Sequence, residues 1–66
     1  MRSQILNALE AKYEGDIAAA KANMEVYLSN PVGIGDHADL ISAVDSQVCL
    51  IAEAQEKLLI VKGVKR

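Results

Sequence analysis

One stretch of eight residues, Asn30-Pro-Val-Gly-Ile-Gly-Asp-His37, holds the chain's only proline and two of its four glycines, and it divides the 66 residues into two helix-favouring halves of nearly equal length. A proline cannot continue a helix, and Pro31 pushes Asn30 out of the α region. Gly33 and Gly35 supply the freedom in φ that a tight reversal needs. Val32 and Ile34 are expected to tuck under the turn and close the end of a core. Few folds accommodate two long helical segments joined by so short a break. The expected architecture is all-α: an antiparallel two-helix hairpin in a single unit covering residues 1–66, with a helix over 3–29, a turn over 30–36, a helix over 37–62 and a tail over 63–66.

The first half reads as a helix throughout. Leu6, Leu9, Tyr13, Ile17, Ala20, Met24 and Tyr27 follow one another at intervals of three and four, which lays them along one face. The run Ala18-Ala-Ala-Lys-Ala22 is strongly helix-favouring, and its small side chains let a neighbouring helix come close. Ser3 is the expected N-cap. Gly15 is the weak point, since a glycine inside a helix costs about 1 kcal/mol against alanine. The apolar stripe keeps its phase across it, so the spacing predicts one continuous helix.

Asp36 is the expected N-cap of the second helix, with Asp39 three residues on in the manner of a capping box. Ile41, Val44, Val48, Ile51, Gln55, Leu58 and Lys62 then alternate at three and four, the spacing of a coiled-coil seam, with Gln55 as a polar interruption that fixes register. Leu40, Leu50, Ala54, Leu59 and Val61 widen the apolar surface beyond one seam. Gly63 is expected to stop the helix, with Lys62, Lys65 and Arg66 around its negative dipole end.

Composition points to assembly. A chain this short buries only about 60% of its unfolded surface and commonly needs a disulfide, a metal or another subunit. Cys49 has no second cysteine to pair with, and one Cys and one His fall short of the four ligands of a structural zinc site. Yet 52% of the residues are hydrophobic, with no Phe and no Trp, more apolar surface than one two-helix seam uses. The expectation is a homo-oligomer, a dimer first of all, in which two hairpins form a four-helix bundle. Its core would comprise Leu6, Leu9, Tyr13, Ile17, Ala20, Met24 and Tyr27 of the first helix and Ile41, Val44, Val48, Ile51 and Leu58 of the second.

The same residues argue against several kinds of chemistry. Gly33-Ile-Gly35 before a helix has no preceding strand and no Lys-Ser/Thr pair, and Asp36 would place a negative charge where a phosphate would sit. Asp36, His37 and Asp39 are explained by capping, and two carboxylates with one histidine are too few for a specific metal motif. Cys49 lies 12 positions from His37, about three helical turns, and lacks the groups that would activate it as a nucleophile. No catalytic, cofactor-binding or metal-binding residues are expected, and the chain is not expected to be an enzyme. No apolar run reaches the roughly 20 residues of a membrane span. With a net charge of −2, no chain-wide basic field favours nucleic acid.

Charge is nevertheless unevenly placed. In an antiparallel hairpin Arg2, Lys57, Lys62, Lys65 and Arg66 gather at the end holding both termini. Glu25, Asp36, Asp39 and Asp45, against Lys21, gather at the turn. Helix-dipole complementation explains most of this for the second helix. The sharper reading is two hairpins packed head to tail. The alternative use of the basic end is a nucleic-acid-binding helical dimer.

The turn, with Asp39-Leu-Ile41 after it and Ala18-Ala-Ala-Lys-Ala-Asn23 before it, resembles short uncharacterised proteins of marine T4-like phages and ocean metagenomes, which place a similar NPVGIG-acidic-His turn between two helices. The resemblance covers most of the chain and implies a setting, the cytoplasm of an infected bacterium, but no activity and no functional residues. In length and pattern alone the chain is also similar to a plasmid RNA-binding hairpin. RNA binding is not implied, because the basic residues sit at an end and not along a helix face. The sequence reading therefore ends at a small structural or protein-interaction module that acts as a homo-oligomer, with an unidentified protein as a further partner.

Overall fold

A computed structural model describes residues 1–29 and 39–66 of the chain. It consists of two helices, α1 (Arg2–Ser29) and α2 (Leu40–Lys65), packed side by side. With 28 and 26 residues, each runs for roughly 40 Å, and the molecule is a rod of 47 × 14 × 13 Å. The helices are antiparallel. The Arg2 guanidinium donates to the Val64 carbonyl oxygen at 2.9 Å, and Asn23 Nδ2 donates to Gln47 Oε1 at 3.5 Å. The expected reversal residues Pro31, Gly33, Gly35 and Asp36, together with Val32, Ile34 and His37, lie outside the described residues.

The expected stripe of α1 faces α2. Ala20 is buried, and Leu6, Leu9, Tyr13, Ile17, Met24 and Tyr27 are all half-buried. Ala20 and Ala54, 2% and 5% exposed, are the most buried residues of their helices. Both belong to the floor of one shallow groove between the helices. Their methyl side chains allow the two backbones to come close there. Helix α1 passes through Gly15 without a break, where a Cβ would meet nothing within 4 Å.

Helix α2 departs from expectation in phase. Its inward line is Leu40, Val44, Gln47, Ile51, Ala54, Leu58 and Val61, again spaced at three and four. Val44, Ile51 and Leu58 were expected on the inner stripe and are half-buried, but Ile41, Val48, Gln55 and Lys62 are exposed. The reason is close packing. The seam takes the small side chain Ala54 where the backbones approach, which rotates the bulkier residues one position along the sequence out to the side.

The helix ends differ as well. Ser3 lies inside the first turn of α1, and the Met1 carbonyl accepts the first helical bond, from the Ile5 amide at 3.0 Å. Asp39 stands at the N-cap of α2 itself, with φ −123° and ψ 27° and no side-chain capping bond, so it is not the third residue of a capping box. Gly63 does not stop the helix, and residues 63–65 are helical instead of a tail. That last turn is tied to α1 by the Arg2–Val64 bond and by an ion pair between Lys65 and Glu10, contacts that outweigh the glycine's weak helix preference.

Candidate assembly interface

Among the described residues only three side chains are buried, those of Ala20, Ala54 and Val61. Against them stand ten exposed large apolar residues, including Ile41 at 87%, Leu59 at 69% and Ile60 at 59%. The accessible surface, 4839 Å², exceeds the roughly 4,100 Å² of a compact monomer of 7.1 kDa.

The uncovered apolar residues are ordered along the rod. At 3.6 residues per turn, Ile41, Val48, Gln55 and Lys62 fall in one exposed row beside the α2 seam, bordered on the seam side by the half-buried Val44, Ile51 and Leu58. Leu59 borders it. At the end nearer the turn, Leu28 of α1 meets this row, so that Leu28, Leu40, Ile41, Val44 and Val48 line an open apolar groove with Asp45 at its edge. This is a ledge of aliphatic side chains at helical spacing, the kind of surface that another helix covers.

The opposite flank of the seam mixes ion pairs with the exposed apolar side chains of Leu50, Ile60 and Val64. Asp16, Asn23, Gln47, Glu53 and Lys57 rim a shallow groove floored by Ala19, Ala20, Ala54 and Leu50. Lys57 donates to Glu53 at 2.8 Å, and Lys12 to Asp16 at 3.1 Å. The Lys12 and Lys57 ammonium groups stand 5.5 and 5.8 Å from the centroid of the Tyr13 ring, which attracts both cations. The hydrogen bond from Lys57 holds the Glu53 carboxyl below its ordinary range, and the same bond pushes the Lys57 ammonium up. These pairs close on themselves, within one chain and largely within one helix. Ile60 and Val64 continue this flank toward the termini and are exposed.

At the terminal end the expected gathering of basic side chains is present along α2, but part of its charge is used internally. Lys65 pairs with Glu10, whose carboxyl is lowered chiefly by that hydrogen bond, and Lys57 pairs with Glu53. Arg2 is engaged with the Val64 carbonyl. Cys49 is exposed. Among the described residues no group of three or more His, Cys, Asp and Glu side chains is placed to hold a metal ion, and no helix is long and apolar enough to cross a membrane. Of the expected cluster of Asp36, His37 and Asp39, only Asp39 is among the described residues.

The α2 ledge was within reach of sequence reasoning: it is the stripe expected there as a seam. The hairpin's own seam uses Leu40, Ala54 and Val61, which lie off that stripe in the sequence. Comparison of the chain with protein-family models, with curated proteins and with solved structures gives no match.

Proposed function

We propose that this hairpin is a structural and protein-interaction module that works as a homo-oligomer, a dimer in the first instance, with two hairpins completing a four-helix bundle. The observation that carries this reading is the exposed pair Ile41 and Val48, with Leu59 beside them and the half-buried Val44, Ile51 and Leu58 at their inner edge, on a hairpin that buries only Ala20, Ala54 and Val61 among its described residues. A core so thin offsets little of the entropy lost on ordering two long helices. A second copy supplies the missing burial. In the setting that the phage resemblance suggests, the assembled module acts as an accessory factor in the cytoplasm of an infected bacterium, binding a host or phage protein through its outer surface.

Sedimentation equilibrium over a wide concentration range tests the assembly. The expected result is a particle of twice the chain mass. A fully helical, cooperatively folded species at 7.1 kDa would overturn the reading. The alternative of a nucleic-acid-binding dimer rests on the basic terminal end, where Glu10 and Glu53 already neutralise two lysines. A titration at low ionic strength, where phosphate contacts are strongest, is expected to give no salt-dependent binding to DNA or RNA.

A further inference from the structure

We propose that the second copy seats on the α2 ledge head to tail, about a two-fold axis that crosses α2 near Ile51, so that the turn end of each hairpin meets the terminal end of the other. The proposal rests on the homo-oligomer reading and adds the face and the direction.

The area required is large. By the scaling of compact proteins, a two-chain particle of twice this mass exposes roughly 6,800 Å². Two separate hairpins, each exposing 4839 Å², reach that figure only by burying about 2,900 Å² between them. That lies within the 2,000–5,000 Å² range of obligate homodimers. A contact at one end of the rod cannot supply it; the second copy has to lie along the length of the rod, the direction in which the ledge runs from Ile41 to Lys62 for roughly 30 Å.

Charge gives the direction. Residues 18–51 carry one lysine, Lys21, against the carboxylates of Glu25, Asp36, Asp39 and Asp45, whereas the remaining residues, at the terminal end, carry six basic side chains against five acidic ones, so the turn half is net negative and the terminal half slightly positive, with Lys62 and Arg66 on its last turns. Two copies laid the same way up would set acidic end against acidic end and Lys62 against Lys62. Head to tail, the opposite charges meet and the two α2 dipoles oppose one another favourably.

The ledge itself is built for this. Its row runs from Ile41 to Lys62 with Gln55 as a polar interruption, and Ile51 stands near its midpoint. Reversal about that point sets Val44 against Leu58 and Leu59 of the second copy, Val48 against Gln55, and Ile41 against Lys62. A lysine's four-carbon stem covers apolar surface while its ammonium reaches on to water or a partner. Lys62 of the second copy thus caps Ile41, the most exposed residue of the row, and carries its charge toward Asp45, one turn further along.

Disulfide trapping tests face and direction together, in full-length protein with Cys49→Ser. Three variants are compared by non-reducing gel after mild oxidation: Ile41→Cys, Lys62→Cys, and both together. Particle mass is first measured in the reduced state. Bridging requires Cα atoms within about 7 Å, and the two positions of one chain are roughly 30 Å apart, so no bridge can close within a chain. The expected result is a covalent dimer from the double variant and none from either single variant. Single variants that trap with themselves would overturn the direction and leave the homo-oligomer reading standing. A dimeric mass without any trapping would overturn the face. A monomeric mass before oxidation would remove both.

Discussion

Two alanine substitutions on α2 separate the hairpin's own interior from its proposed assembly face. Val61 is 6% exposed and Ile41 is 87% exposed. Val61→Ala removes two buried carbons, about 1.6 kcal/mol of transfer free energy at ~0.8 kcal/mol per methylene, and the incompletely closed cavity raises this to about 2 kcal/mol. The change also recovers about 0.5 kcal/mol of helix propensity, so the net loss is about 1.5 kcal/mol per chain. Ile41→Ala removes three carbons. If the hairpin stands alone, only the small covered fraction counts, about 0.3 kcal/mol, and the gain in propensity cancels it. If a second copy covers the ledge, the loss is about 2 kcal/mol per chain. Urea unfolding followed by far-UV circular dichroism, repeated at several protein concentrations, reads both, and the midpoint should rise with concentration. A cost below about 0.5 kcal/mol for Val61→Ala would refute the packing phase of α2. A cost that small for Ile41→Ala, typical of surface sites, would refute a covered ledge.

Further outcomes follow from other positions. Ala54→Leu forces a larger side chain into the seam where Ala54 is buried and should cost about 1–3 kcal/mol, visible as a lower thermal midpoint. Gly15→Ala places a Cβ in open space inside a helix and should stabilise by about 1 kcal/mol; a destabilised variant would show that residue 15 is not helical. The Glu10–Lys65 pair lowers Glu10 below its ordinary value of 4.5. Its stabilisation is therefore complete above that value and is lost as pH falls through the lowered one. Glu10→Gln should flatten the acid limb of a stability–pH profile, and added salt should weaken the same contribution in the parent.

Much of the fold could be read from residue order. The α1 stripe from Leu6 to Tyr27 has one apolar face and polar residues elsewhere, so period alone fixes which side turns inward. Helix α2 is apolar on more than one side, and there the period admits two phases. Counting bulky side chains selects Ile41 and Val48. The hairpin instead buries Ala54 and Val61, because a small residue opposite Ala20 lets the backbones close up, a pairwise property that no single helix displays. The end of α2 was misread for a similar reason: Gly63 is a local stop signal, but Arg2 and Glu10, more than fifty residues away, hold the last turn in place. The proposed assembly ledge is part of the surplus apolar surface of the sequence, and the phase of the α2 seam sets where it lies.

The thinness of the interior reaches beyond stability measured in a tube. Under the proposed assembly, a chain that among its described residues buries only Ala20, Ala54 and Val61 and draws on a second copy for the rest couples folding to encounter. Its folded fraction then follows mass action. At low rates of synthesis most chains would meet a protease before meeting each other, and above a threshold of abundance the population would become durable. Such a protein needs no ligand or modification to be switched on: the rate at which it is made would decide whether it exists as a folded object at all.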